Sequence, residues 1–291
     1  MHNGVNMSII KLTLRRLKMK TSLIFQLLVL TLILTVPILA VQARGISDDE
    51  LVIYYSFDEA SLKGDDILDG SGNEYDGFIH GNNLKIVDEG KFNECMQFPG
   101  GATEYIAVRD LNYTEGIPEL SMAVWVKTSD RGMIASWDRS DYFRFAVGDA
   151  AIEQFDFVAF DICCPIEDWH GDIKVSDGEW HHVAVTFDGD IKRIYVDGKI
   201  DVEQATATNN NMIGPKAQRY GFIGIGSEAG EFNGNASPTW TFKGLMDEFL
   251  MFHRALSEEE VENLYKSNGD PFAVEPVNKL SMTWGELKNT E

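Results

Sequence analysis

The stretch from Asp177 to Lys199, D-G-E-W-H-H-V-A-V-T-F-D-G-D-I-K-R-I-Y-V-D-G-K, constrains the fold more than any other. From Trp180 to Phe187 the alternate residues His181, Val183, Val185 and Phe187 share one face. Trp180, His182, Ala184 and Thr186 share the other, which is the period of a strand. Asp188-Gly189 follows, and glycine accepts the positive φ of a turn without a Cβ clash. Ile191 to Val196 is β-branched and aromatic, and Asp197-Gly198 turns the chain again. The spacing predicts a three-stranded antiparallel meander.

Further apolar runs separated by turn residues extend this reading. Leu51 to Phe57, Met122 to Val126, Phe143 to Val147, Phe155 to Phe160, Phe222 to Ile225 and Leu245 to Phe252 all read as strands. One helix is expected, opening at Ser257. There Ser257 and Glu260 form a capping box, and Val261, Leu264 and Tyr265 fall on one helical face. The expected architecture is all-β, an antiparallel two-sheet jelly-roll sandwich with one short C-terminal helix.

Four motifs in order carry a family resemblance: Y-S-F-D-E with D-G-S-G-N (55–59, 69–73), L-S-M-A-V-W-V-K (120–127), the 180–199 hairpin, and F-K-G-L-M-D-E-F-L-M-F-H-R-A-L-S-E-E-E-V (242–261). Together they resemble a laminin-G-like jelly-roll domain of the concanavalin A-like lectin/glucanase superfamily, over roughly residues 50 to 268. The resemblance implies a sandwich that binds glycans or proteins, often with a structural calcium. It also places Asp58 and Asp247 at the positions where this fold clamps an ion, and Asn73 or Asp76 could add oxygens from the following loop. Hard oxygen ligands select Ca²⁺. An EF-hand imitation at Asp65, Asp69, Gly70 and Asp76 fails, because Ile67 occupies a ligand position and no helices flank it.

The chain opens with a basic stretch (Lys11, Arg15, Arg16, Lys18, Lys20), an 18-residue apolar run from Ser22 to Leu39, and Val41-Gln42-Ala43. That order predicts a signal peptide over 1–43, cleaved after Ala43; an uncleaved anchor is the rival reading. A laminin-G-like domain over 44–270 and a tail over 271–291 complete the expected organisation, and the protein is expected outside the cytoplasm, secreted or at the cell surface or periplasm. Cleavage removes five of the 25 Lys and Arg and none of the 46 acids, leaving 20 against 46, a net charge of −26. Nucleic acid and anionic membrane surfaces would repel such a chain. Of the three cysteines, Cys95 is expected either to bridge Cys163 or Cys164, or to remain free with both of them.

Catalysis is disfavoured. A retaining glycosidase needs two carboxylates about 5 Å apart on one face. In E-Q-F-D-F-V-A-F-D, Glu153 and Asp156 are three apart and Asp156 and Asp161 five apart, so a regular strand sets each pair on opposite faces. His181 and His182 are neighbours and also face opposite ways. Trp137, Trp169 and Trp240 stand in polar, turn-like surroundings and, with Tyr142, are the expected sugar contacts, since an indole flanked by carboxylates can stack on a sugar ring. The expected function is an exported, non-catalytic module whose partner is a glycan or cell-surface glycoprotein. A protein-binding adhesion or structural domain is the alternative, since the same fold serves both.

Overall fold

The computed structural model describes residues 50–138, 142–149, 154–163, 169–208, 211–215, 217–226, 240–269 and 271–272. All of them lie in one compact unit, Arg44–Pro276; residues 1–43 and 277–291, with the expected signal peptide and most of the tail, lie outside the described residues. In chain order the first strands are β1 (Leu51–Tyr55), β2 (Leu62–Lys63), β3 (Asp66–Ile67), β4 (Gly77–His80), β5 (Lys85–Val87) and β6 (Cys95–Pro99). Next come β7 (Tyr105–Tyr113), β8 (Leu120–Lys127), β9 (Gly132–Trp137), β10 (Phe143–Asp149), β11 (Gln154–Ile162) and β12 (His170–Lys174). The last are β13 (Trp180–Phe187), β14 (Ile191–Val196), β15 (Lys199–Ala205), β16 (Arg219–Ile223) and β17 (Lys243–Phe252), followed by helix α1 (Glu258–Lys266).

Two antiparallel sheets result. Sheet A runs β15-β14-β13-β8-β17-β6-β5, with β1 also paired to β17; sheet B runs β12-β11-β10-β9-β16-β7-β4-β3-β2. The predicted meander is β13-β14-β15. Asp197 (φ 50°) and Gly198 (φ 76°) form its second turn, and two positive-φ residues are what a two-residue hairpin needs to match strand twist. Phe222 to Ile225 was expected to be one strand; it stops at Ile223 because Gly224 turns to φ 82°.

Alternation fills the space between the sheets. From sheet A, Leu120, Met122, Val124, Val126, Val183, Val185 and Phe187 point inward, and from sheet B, Phe143, Phe145, Val147, Val158, Phe160 and Ile162 meet them. Each buried side chain of this size contributes about 1.5–3 kcal/mol. The opposite residues of sheet A form a second cluster, in which Ala123, Ala184, Tyr195 and Leu250 receive Val261 and Leu264 of α1. The capping box closes as expected: Ser257 Oγ accepts from the Glu260 amide, and Glu260 Oε2 accepts from the Ser257 amide at 2.9 Å. Phe272 packs edge-on against Tyr54, so the fold holds the chain a little beyond residue 270.

Cys95 is free and buried, whereas Cys163 is disulfide-bonded. Both expected cysteine arrangements are thereby corrected: no bridge reaches Cys95, and not all three thiols are free. Cys95 sits on β6, where burial, with the Asp247 carboxylate nearby, pushes its thiol up to about 12.

Candidate functional site

The expected metal residues divide into two groups. Asp247 is the best placed. It lies on the outer side of sheet A, opposite Trp125 and just before a bulge in β17, and is fully buried. The segment Glu89–Glu94 crosses over it. Asp247 Oδ2 accepts the Phe92 amide at 2.9 Å, and the Lys91 and Glu248 amides also face the carboxylate. Its Oδ1 is buried without a hydrogen-bond partner. Burial pushes this carboxyl up to about 7; the Phe92 amide works against that shift, and the nearby Asp58 charge reinforces it. A buried carboxylate with a free oxygen, within electrostatic reach of a second carboxylate, fits a cation.

Asn73 and Asp76 belong to a different arrangement. Asn73 Nδ2 donates to the Leu51 carbonyl at 2.7 Å, tying the loop to β1. Asp76 Oδ1 accepts the Asp69 amide at 2.8 Å. Asp69 in turn accepts the amides of Tyr54 and Ser71, both at 2.9 Å. D-G-S-G-N is thus a self-bracing turn, and its side chains are already engaged. Among the described residues no three His, Cys, Asp or Glu side chains converge as a metal group, so Asp76 does not join Asp58 and Asp247.

The expected sugar contacts also divide. Trp137 and Tyr142 are both 0 % exposed and belong to the main core, which corrects their reading as sugar contacts. Trp137 ends β9 pointing between the sheets, stacks on Phe143 with centroids 5.2 Å apart, and donates Nε1–H to the Leu111 carbonyl at 3.2 Å. Neither ring offers a face to a ligand. Trp169 is half-buried and packs against the same core, with the buried Lys192 ammonium 5.3 Å from its ring centroid. Trp240 alone of the four lies on an outer face, half-buried over Met133, Ala146 and Ala159 of sheet B.

That outer face of sheet B is the strongest ligand-binding geometry among the described residues. Met133, Ala146 and Ala159 stand side by side on β9, β10 and β11 and form a buried apolar floor. The neighbouring row is polar. Ser136, Arg144 and Asp161 are paired across the same strands, and Ser136 Oγ is buried without a partner. Arg144 binds Asp149 at 2.8 Å and Asp161 at 3.5 Å, with its guanidinium 5.1 Å from the Trp240 ring centroid. Toward β12 the face carries Phe157 stacked on His170 at 5.6 Å. Toward β4 it carries His80 stacked on Tyr105 at 4.5 Å, beside Phe222. The floor, Ser136 and Arg144 are buried, so the part of this face open to a ligand is the half-buried Trp240 with Phe157 and His170 on one side and the exposed His80 on the other, rings that can stack on a polar ring.

The same geometry does not supply a glycosidase pair. Asp149 and Asp161 share one guanidinium as an ion triad, whereas hydrolysis needs one carboxyl free to give a proton. Asp156 accepts from Ser176 and lies 3.1 Å from Lys174, and these bonds, Ser176 first, hold its carboxyl below the usual range. Glu153 lies outside the described residues. The two histidines of β13 part as their spacing dictates. His181 lies 3.0 Å from Asp197 and is raised chiefly by that hydrogen bond, while His182 is buried beside Trp125 and lowered to about 4 by desolvation.

Two facing antiparallel sheets, this strand order and a closing helix define the class, a concanavalin A-like jelly roll. A laminin-G family model, described as concanavalin A-like lectin/glucanases superfamily, matches residues 100–262, more than half of the chain, and the chain belongs to that superfamily. A comparison with curated proteins finds no match. Among solved structures, the binding domain of Paraclostridial Mosquitocidal Protein 1 is similar at TM-score 0.55 and 16% identity, over 75% of this chain and 52% of that one. Domain 4 of AbnA, a GH43 extracellular arabinanase from Geobacillus stearothermophilus, was solved in complex with arabinotriose. It is similar at TM-score 0.53 and 19% identity, over 74% of this chain and 98% of that one. The binding domain of Botulinum neurotoxin DC, in complex with SialylT, is similar at TM-score 0.53 and 15% identity, over 76% and 52%. The chain thus spans about half the length of the toxin domains and nearly all of the arabinanase domain. At these identities the likeness is one of fold.

Proposed function

We propose that this chain is an extracytoplasmic, non-catalytic recognition module that binds a glycan or a glycosylated surface, and that a calcium ion stabilises it. The observation that carries the reading is the outer face of sheet B, where Trp240 overhangs the Met133–Ala146–Ala159 floor beside the Arg144 triad. Fold relatives solved with arabinotriose and with SialylT support it, because a sandwich of this topology holds saccharide-bearing ligands in those proteins. The shared guanidinium between Asp149 and Asp161 supports binding over hydrolysis. Export is supported by the basic, apolar and small-residue order of residues 11–43, and the acidic mature chain argues against nucleic acid or an anionic membrane as partner. A glycan array on the mature protein, with any released sugar measured alongside, tests the reading. Binding without product is expected. Released sugar would make the protein an enzyme. Capture of a specific protein with no glycan bound would make it an adhesion domain.

Asp58 and Asp247 would hold the calcium. Peptide carbonyls or water would complete its shell of six to eight oxygens, since among the described residues no third acidic side chain joins them. The ion would engage Asp247 Oδ1 and offset the repulsion between the two carboxylates. Stabilisation follows mass action, about 2.7 kcal/mol at 100 times Kd. The thermal midpoint is therefore expected to rise on moving from chelator to millimolar calcium in the native protein, and to stay put in Asp247→Asn. Identical midpoints for the native protein in both buffers would contradict the site.

A further inference from the structure

On the outer side of sheet A, two neighbouring cross-strand rows are treated differently. The row of Asp247, Trp125 and His182 is covered: Lys91 and Phe92 lie over Trp125 from one side and Tyr265 of α1 stacks on it from the other. The next row consists of Gln97 on β6, Leu245 on β17, Lys127 on β8 and Trp180 on β13, each paired directly with the next. Among the described residues no ring or ion pair lies over this row. It opens into a groove of about 560 Å³ floored by Leu245 and lined by Gln97 and Lys127, with Glu89 and the Thr128–Asp130 turn among its walls.

The turn that walls the groove is fixed. Thr128 Oγ1 donates to the Lys243 carbonyl at 2.7 Å, and the Gly178 amide donates to the Thr128 carbonyl at 2.9 Å. Three side chains of the uncovered row are unengaged. Gln97, Lys127 and Trp180 are all half-buried, and none makes a side-chain hydrogen bond, ion pair or ring contact among the described residues. The second lysine of the groove, Lys243, pairs with Asp130 at 3.1 Å; both are more than half exposed, so that pair is weak and can yield.

We infer that this groove is a second saccharide subsite, distinct from the sheet B face, and that it takes a carboxylated sugar such as a uronic acid. The inference rests on the glycan-binding reading above. Within the groove the Lys127 ammonium supplies a charge for the carboxylate and the Gln97 amide a donor and an acceptor for ring hydroxyls; Trp180, paired with Lys127 but outside the groove's lining, offers its indole at the edge. Lys127 stands directly opposite Trp180, where cross-strand neighbours lie about 4.5–5.5 Å apart at Cβ, so one sugar ring reaches both. The ammonium also provides local attraction that the net charge of the chain does not.

Equilibrium titration of the mature protein with a trigalacturonate and with its neutral galactose counterpart tests this. The acidic sugar is expected to bind at least tenfold more tightly. Lys127→Gln should abolish that preference without moving the melting midpoint, and Trp180→Ala should weaken both sugars. Trp240→Ala should leave trigalacturonate binding unchanged. Equal affinity for the two sugars, an unaffected Lys127→Gln variant, or loss of the acidic sugar in Trp240→Ala would overturn the assignment. Failure to bind trigalacturonate while array glycans still bind would overturn the groove alone. Failure to bind any glycan would remove the reading beneath it as well.

Discussion

Trp137→Ala is expected to cost about 3–5 kcal/mol of folding stability, the range for emptying the volume of a buried large aromatic. The indole is 0 % exposed, stacks on Phe143, and bonds to the Leu111 carbonyl, whose oxygen would be left without that donor. The backbone on the other side cannot close the gap cheaply. Gly221 already approaches so tightly that a Cβ there would lie 2.0 Å from the indole, so the packing is specified from both partners. Urea unfolding should show a large drop in midpoint, and the protein that remains folded should bind glycan as before. A loss below about 1 kcal/mol, together with lost binding, would return Trp137 to the surface role its polar flanks suggest.

His182 should contribute a loss of stability in acid, opposed over much of the same range by Asp247, whose carboxyl is pushed up to about 7 in the fold, so the contribution is read as the difference between native and His182→Phe proteins. The His182 ring is buried beside Trp125 and Tyr265, with Nδ1 lacking a hydrogen-bond partner. Burial lowers its pKa to about 4, against the opposing pull of Asp197 and with the help of the Lys91 ammonium. The unfolded chain therefore takes up this proton near pH 6.5 and the folded one only near 4. Between those values the unfolded state holds more protons, and stability falls as pH falls, by at most about 3 kcal/mol. His181 acts in the opposite sense. Its folded pKa is raised, chiefly by the Asp197 hydrogen bond, so its contribution is complete below about 6.5 and fades as pH rises past the folded value. Replacing His182 by phenylalanine should make stability at pH 4 more favourable relative to that at pH 6.5 than it is in the native protein. Parallel curves for the two proteins would show that the acid transition belongs to other groups.

What the sequence disclosed was local. The 180–196 hairpin, its Asp197-Gly198 turn and the Ser257–Glu260 cap are set by period and by neighbours within a few residues, and the structure reproduces them. Trp137 was misread because S-W-D-R-S-D-Y has the polarity of a loop, yet its indole points inward at the end of β9, whose short M-I-A-S-W run was not recognised as a strand. Asp76 and Asn73 looked like spare oxygens because the bracing hydrogen bonds of the 69–76 turn are invisible in one dimension. Asp247 was found through the resemblance; its burial and its unpartnered oxygen needed the folded chain. The sheet B face was missed because it collects residues from β9, β10, β11 and the Trp240 region. A signal existed in the residues alternating with the core positions of two apolar runs, Arg144 and Ala146 in the first and Phe157, Ala159 and Asp161 in the second. Which sheet those residues faced, and that Trp240 would cover them, depended on strand order, which no local pattern encodes.

The central claim is that the outer face of sheet B recognises glycan, and calorimetric titration of Trp240→Ala with the strongest array ligand tests it most directly. Trp240 is half-buried on the outer face and outside the main core between the sheets, so its removal should spare the fold, and an unchanged melting midpoint serves as the control. The account predicts a loss of affinity of at least tenfold, about 1.4 kcal/mol, with no sugar released by either protein. Unchanged affinity in a folded Trp240→Ala protein would contradict it.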